Sequence, residues 1–245
     1  MTRILLINPP DVDSTLFDYA TAKRGRSNNY PSYGLGVLAR HLLNHGYEVK
    51  ILNLNHEVLK FIYHTHQDFD YDTLWKNILL TEVTSFKPDL LALTCLFSIG
   101  NKSLENVCQE LRKNFDIPIA IGGVHITHDV DNVIKAIQPD YVFLNESEKA
   151  FIVFLEYVNG RVKEEDLCQF INVKENKSYL KKLIPSGSDL DIIPPFELMD
   201  VENHSLYGVI GSWYGFRNEE TRIGTALSNR GCRAHCSFCN VRTFN

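Results

Sequence analysis

The first 158 residues alternate between short apolar runs and longer stretches in which apolar positions recur every three or four residues. Arg3-Ile-Leu-Leu-Ile-Asn8 is unbroken, as a strand buried on both faces should be, and Pro9-Pro10 cannot continue its ladder. A long polar loop is expected from Asp11 to Tyr30. Tyr33 to Gly46 has helical spacing, with Leu35, Leu38, Leu42 and Leu43 on one face. Glu48–Asn53 reads as the second strand. Residues 54–87 are helical in tone, with Leu74, Ile78, Leu79 and Val83 as the apolar stripe, and stop at Pro88.

Three further units follow. Asp89–Cys95 is a strand and Asn101–Phe115 a helix. Ile117–Ile121 is a strand closed by Gly122-Gly123, followed by a helix from Thr127 to Ile137. Asp140–Leu144 is the fifth strand, and Glu146–Val158 an amphipathic helix. Five β–α units in succession predict a flavodoxin-like (Rossmann-like) doubly wound parallel sheet.

Beyond Val158 the periodicity loosens. Lys163-Glu-Glu-Asp and Lys174-Glu-Asn-Lys are solvated charge runs, and Ile193-Pro-Pro is extended. Residues 159–220 are expected to be a connector carrying a short helix or hairpin. Thr221–Ser228 reads as one more strand, opening a third region over 221–245.

Ligands of doubly wound sheets lie beyond the carboxyl ends of the strands, at the switch in strand order. That rim predicts Asn8, Pro9, Ser98, Gly122, Gly123, His125 and Glu146 as ligand contacts. Two of these assignments have rivals. Gly122-Gly123 either lets a ligand approach the backbone or makes only a tight turn. Glu146 and Glu148 either touch a ligand or favour the N-terminus of the last helix electrostatically. His41, His45, His56, His64 and His66 show no paired ligand spacing, and most are expected to face solvent.

The 245 residues include 44% hydrophobic and 22% charged side chains, which is ordinary globular composition. A formal net charge of −5 gives no electrostatic case for nucleic acid. No apolar run approaches the ~20 residues of a membrane span, and the first residues lack a signal-peptide pattern. A cytoplasmic chain with no membrane partner is expected.

Cys232, Cys236 and Cys239 form a C-x-x-x-C-x-x-C loop preceded by Arg230-Gly231. Three neighbouring thiolates suit a soft metal centre. A chance cluster of buried thiols, or a zinc site completed by His235 or a distant residue, would explain the spacing less well. Structural zinc needs four ligands, and Cys95, Cys108 and Cys168 stand alone in the sequence. A three-cysteine iron–sulfur cluster leaves one iron open.

This cysteine loop, with Phe238 between its last two thiols, resembles that of the radical S-adenosylmethionine (radical SAM) enzymes. Asn8-Pro9-Pro10, Tyr30-Pro-Ser-Tyr-Gly-Leu-Gly, Pro88-Asp89, Gly122-Gly-Val-His125 and Glu146-Ser-Glu148 resemble the cobalamin-binding domain that often precedes a radical SAM barrel. The resemblance covers roughly residues 1–155, 189–200 and the cysteine loop. It implies a [4Fe-4S] cluster on Cys232, Cys236 and Cys239, with S-adenosylmethionine chelated at the open iron. It further implies an electron donor such as flavodoxin or ferredoxin, and methylation or rearrangement of an unactivated substrate carbon. The small-molecule substrate itself is not implied.

Two departures qualify it. Asn145-Glu-Ser-Glu148 stands where the family usually has Gly-Glu-Gly-Glu. The Asp-x-His-x-x-Gly signature, whose histidine ligates cobalt from below, is missing, so cobalamin is expected to bind without a lower histidine. Two alternatives accompany this reading: a radical SAM protein whose first domain binds no cobalamin, and a non-catalytic corrinoid-binding module. Thr221–Ser228 would be the first strand of an incomplete barrel. The chain taken alone is expected to be truncated, with little or no activity.

Overall fold

The computed structural model describes residues 2–65, 68–183, 191–210, 232, 234 and 236–239. The expected alternation is present almost residue for residue in its first part. Strand β1 spans Arg3–Asn8, helix α1 Tyr19–Lys23, α2 Tyr33–Asn44 and β2 Glu48–Asn53. Helices α3 (Leu54–His64) and α4 (Tyr71–Phe86) lead to β3 (Leu90–Thr94), α5 (Asn101–Asn114) and β4 (Ile119–Gly122). Helices α6 (Val124–His128) and α7 (Val130–Ile137) precede β5 (Tyr141–Phe143) and α8 (Glu148–Val158).

The strands order as β2-β1-β3-β4-β5, all parallel, which is the flavodoxin-like arrangement. Two short strands, β6 (Phe170–Asn172) and β7 (Lys177–Tyr179), add an antiparallel hairpin beside β5. The region expected to be a connector therefore completes the edge of the sheet. The strand expected over 221–228 lies outside the described residues. Among the described residues no helix is long and apolar enough to cross a membrane.

Strand β1 shows why the sheet is central. Ile4, Leu5, Leu6 and Ile7 are all fully buried. Ile4 and Leu6 join the core beneath α2 and α8, while Leu5 and Ile7 join that beneath α3, α4, α5 and α7. Side chains of period two thus feed two separate cores. Helix α2, which leads from β1 to β2, packs on one face and α5, which follows β3, on the other, so the switch point falls between these neighbouring strands.

Three departures from the expected elements have local causes. The polar loop after Pro10 contains α1, whose cap residue Asp18 accepts from the Thr21 N–H at 3.1 Å. The helical stretch 54–87 is two helices, each opened by its own cap: Asn53 accepts from the His56 N–H, and Asp70 from the Thr73 N–H. The stretch after Gly123 also breaks in two, at Asp129, whose φ of −135° is not helical.

At the amino-terminal edge, Asp140 ties the later strands together. It is 1% exposed, and its carboxylate receives the Ile119 N–H at 2.6 Å, Arg112 at 2.5 Å and Lys174 at 2.6 Å. Burial pushes its pKa up. The bonds from Lys174, the Ile119 N–H and Arg112 outweigh that and hold it below the usual carboxylate range. Asp140→Ala leaves two cations and a buried N–H unpaired, and an unfolding titration should show a loss of about 2–4 kcal/mol. Because the folded-state pKa is depressed, the stabilisation is present at neutral pH and fades only as pH falls below the usual carboxylate pKa. An Asp140→Ala chain as stable as the wild type at pH 7 would refute this role.

Candidate functional site

The carboxyl edge of the sheet is built from four loops, and each is held by hydrogen bonds to its neighbours. After β1 the chain turns through the buried Pro9 and Pro10. The Asn8 amide donates to the Pro9 carbonyl at 3.0 Å and to Asn53 Oδ1 at 3.3 Å. Asn53 in turn donates to the Tyr30 carbonyl and to Ser32 Oγ. This network pins the Tyr30-Pro-Ser segment to the rim, so Asn8 acts in the described structure as a brace.

The loop after β3 carries Leu96, Phe97, Ser98 and Ile99, all exposed, with Phe97 reaching 71% exposure. Ser98 opens a single 3-10 turn, Ser98–Gly100. Cys95 beneath this loop is 5% exposed, and its thiol donates to the Phe97 carbonyl at 3.2 Å. Burial pushes that thiol up to about 11, which suits a packed sulfhydryl and not a nucleophile.

Gly122 and Gly123 end β4, and the structure separates their roles. Gly123 has φ of +119° and ψ of 172°, and a Cβ there would lie 2.4 Å from the Cys95 carbonyl oxygen. Its missing side chain lets the β3 and β4 ends pack together. A Cβ on Gly122 would meet only the Phe143 carbonyl oxygen and Cβ, at 3.4 and 3.6 Å. The tight-turn explanation therefore accounts for Gly123 without any ligand.

His125 follows, its N–H donating to the Cys95 carbonyl at 3.2 Å and its ring Nε2 lying 3.2 Å from Asn101 Oδ1. The fourth loop joins through the Asn145 N–H, which donates to Thr127 Oγ1 at 2.9 Å. Gln169 donates to the Leu144 and Glu146 carbonyls. Glu146, half-buried, precedes α8 by two residues, and Glu148 occupies the first turn of α8.

The predicted rim residues Asn8, Pro9, Ser98, Gly122, Gly123, His125 and Glu146 are thus brought to one edge. The cysteines are not joined to it by any described contact. Cys232 and Cys236 are exposed and Cys239 partly so, with the Cys239 N–H donating to the Cys236 carbonyl at 3.2 Å. Among the described residues no three His, Cys, Asp or Glu side chains are gathered as a metal site.

The expectation that most histidines face solvent is wrong for His56 and His41, which are 2% and 8% exposed. His56 stacks on His204 with ring centroids 4.0 Å apart. Its Nε2 lies 3.0 Å from Asp200 Oδ2, and its Nδ1 receives Asn29 Nδ2 at 3.1 Å. Sequence reasoning also missed Asp11, the residue following Pro9-Pro10. Its N–H donates to Asn55 Oδ1 at 3.3 Å, and burial pushes its carboxyl up to about 6.

An open-edged sheet of this strand order, with four braced loops at the switch point and an apolar lip, defines a doubly wound ligand-binding domain. The B12 binding domain model matches residues 25–155, more than half of the sequence. The chain belongs to the B12-binding domain family. It is 27% identical to the cytidylyl-2-hydroxyethylphosphonate methyltransferase of Streptomyces wedmorensis, in an alignment covering 99% of this chain and 48% of that protein. It therefore spans about half the length of the curated relative it matches. The radical S-adenosylmethionine methyltransferase TsrM from Kitasatospora setae, solved with tryptophan and a SAM analogue, shares the fold. That match has a TM-score of 0.53 and 18% identity, covering 70% of this chain and 28% of TsrM. The cobalamin-dependent S-adenosylmethionine radical enzyme OxsB, solved with aqua-cobalamin and S-adenosylmethionine, matches at TM-score 0.50 and 14% identity. There the alignment covers 75% of this chain and 23% of OxsB.

Proposed function

We propose that this chain is the corrinoid-binding part of a cobalamin-dependent radical SAM methyltransferase. The observation that carries the reading is the coincidence of the B12-binding match with a flavodoxin-like sheet whose switch-point rim is open and apolar. Alignment with a methyltransferase over nearly the whole chain supports the second half of the statement. In this reading residues 1–158 hold the corrinoid, 159–220 connect and 221–245 begin the radical SAM part.

The rim suits a corrinoid on its own chemistry. Leu96, Phe97 and Ile99 offer exposed apolar surface to a flat macrocycle, and the loops beside them offer backbone polar groups to its amide periphery. Gly122 and His125 flank that surface, Asn8 and Pro9 hold the first loop, and Ser98 and Glu146 are its outer contacts. Among the described residues no histidine occupies the loop that follows β1, so binding without a lower histidine is the matching mode.

Cys232, Cys236 and Cys239 would hold a [4Fe-4S] cluster; three soft thiolates are the right donor set, with S-adenosylmethionine completing it. When bound, that pair supplies one-electron cleavage of the sulfonium, fed by a donor such as flavodoxin or ferredoxin, and the corrinoid supplies methyl transfer. A small-molecule substrate, no nucleic acid, no membrane and a cytoplasmic setting complete the proposal.

Hydroxocobalamin titrated into the purified chain should bind saturably and give a base-off spectrum. A folded chain that shows no saturable binding would remove the corrinoid reading. Anaerobic reconstitution should load iron onto the wild-type chain, and Cys236→Ala should abolish loading; equal iron in both would remove the cluster reading.

A further inference from the structure

We propose that Asn53 and Asn55 are positioning residues for the corrinoid, holding the loop after β1 as a ready-made wall of the switch-point crevice. The inference rests on the corrinoid reading and adds to it the side chains that shape the crevice before the ligand arrives.

A switch-point crevice lies between the loops of the two strands that part there, here β1 and β3. The β3 side is short and apolar, residues 96–99, all exposed. The β1 side is residues 9–32, a long polar segment whose one regular element is the five-residue helix α1. The two sides meet at Gly100, where an added Cβ would lie 3.6 Å from the Asp11 carbonyl oxygen. A wall of this length helps a ligand only if it is already fixed, since otherwise its ordering weakens binding.

Asn53 ends β2 and Asn55 is the second residue of α3, so both stand on regular structure. Asn53 uses the full hydrogen-bonding capacity of its amide. Its Oδ1 accepts from the Asn8 amide at 3.3 Å and from the His56 N–H at 3.1 Å. Its Nδ2 donates to the Tyr30 carbonyl at 3.3 Å and to Ser32 Oγ at 3.1 Å. Asn55 is 8% exposed; its Oδ1 accepts from the Asp11 N–H at 3.3 Å and its Nδ2 donates to the Asn28 carbonyl at 2.9 Å. Each amide faces one main-chain N–H and one main-chain carbonyl, which fixes its oxygen and nitrogen ends.

Two neighbouring side chains thus grip the loop where it leaves Pro9-Pro10, at Asp11, and where it returns to α2, at Asn28, Tyr30 and Ser32. Helix capping explains only a part of this. For α3 the cap needs the single bond from the His56 N–H to Asn53. The bonds donated to Asn28, Tyr30 and Ser32 do nothing for that helix, and all three acceptors lie on the loop.

Asn53→Asp separates the two tasks. A carboxylate still accepts from Asn8 and His56 and suits a helix N-terminus, but it cannot donate to the Tyr30 carbonyl. Its urea midpoint should stay near that of the wild type. Hydroxocobalamin titrated into the full chain should bind it about tenfold more weakly, as for a loop in place about one-tenth of the time. Asn55→Ala leaves the cap residue untouched and should show the same loss; it carries the test should Asn53→Asp fold poorly. Trypsin gives a readout independent of affinity, because Lys23, Arg24 and Arg26 are exposed on this loop. Cutting there should be slow in the free wild type and change little when hydroxocobalamin is added. In the variants it should be fast in the free chain and slowed by the ligand. Wild-type affinity in the folded variants, or a wild-type loop protected only once the ligand is added, overturns the positioning role and leaves the corrinoid reading standing. No binding by the folded wild type overturns both.

Discussion

Gly123→Ala is expected to cost about 3–5 kcal/mol of folding stability, whereas Gly122→Ala should change it by less than about 1 kcal/mol. Both residues lie in the same dipeptide, so the contrast tests the geometry and not the general intolerance of a turn. At Gly123 two penalties combine. The φ of +119° with extended ψ belongs to a region that residues with a Cβ avoid. The added Cβ would also lie 2.4 Å from the Cys95 carbonyl oxygen and 3.0 Å from its carbonyl carbon and nitrogen. Those are backbone atoms of the neighbouring strand end, so no side chain can swing away. Relief must come from separating β3 from β4, which breaks the Cys95 N–H bond to the Gly122 carbonyl and the His125 N–H bond to Cys95. At Gly122 the nearest atoms are 3.4–3.6 Å away, an ordinary contact. Urea unfolding of the two variants decides the matter, and equal losses would show that the β3–β4 contact is not what the glycine serves. The corrinoid titration then separates the two positions differently: Gly122→Trp should weaken binding in a chain that still folds.

How far the sequence reveals this architecture depends on the range of the interactions. Strands β1 and β2 were legible to the residue: β1 as the continuous apolar run of a strand buried on both faces, and β2, at the sheet edge, as a short β-branched and apolar stretch broken by Lys50. That Asn8, Ser98, Gly122, His125 and Glu146 share one edge was legible because the loops after parallel strands all open at the carboxyl ends of a doubly wound sheet. The helical stretch was placed to start at residue 54, as α3 does, but its break before α4 was missed. Asp70 is an N-cap residue with nothing but a hydrogen bond to announce it. The double glycine was legible as a special site, but its cause was not, since it requires knowing that Cys95 lies against it. Asp11 was passed over because its character comes from what it lacks: nothing in Pro9-Pro10-Asp11 shows that Asp13 finds partners and Asp11 does not. The buried histidines were the clearest failure. A search for paired spacing cannot find partners 144 and 175 positions away, as Asp200 is from His56 and Asn29 from His204.

That histidine cluster leads to the second large effect. His204→Ala should lower stability by about 2–4 kcal/mol and release residues 191–210 from the domain, read as new protease sensitivity in that segment. The segment lies back over the sheet domain through five contacts in sequence order. Arg40 donates to the Ile193 carbonyl; Met199 packs where Gly36 lacks a side chain, 2.5 Å from where a Cβ would stand; Asp200 meets His56. Next, His204 is clasped by Asn29, and Val209 pairs with the Ser27–Asn29 strand-like stretch. The stacked rings of His56 and His204 are the buried centre of this arrangement. Removing His204 opens a cavity beside His56 and takes away a ring whose nitrogens lie 3.2 and 3.1 Å from the Asn29 and Met199 carbonyls, to one of which the neutral ring donates its single N–H. Acid should achieve the same release. Burial, and then the neighbouring His56, push the His204 pKa down from 6.5 to about 4, and burial also lowers His56 against the pull of Asp200. Both rings are therefore neutral in the folded protein and gain protons on unfolding. Their contribution is present in full above the ordinary histidine pKa and is lost progressively as pH falls from 6.5 toward 4. Protease sensitivity of residues 191–210 should rise through that window in the wild type and be high already at neutral pH in His204→Ala. The rings would not be the latch if the segment stayed protected in the variant, or if acid loosened variant and wild type by equal steps.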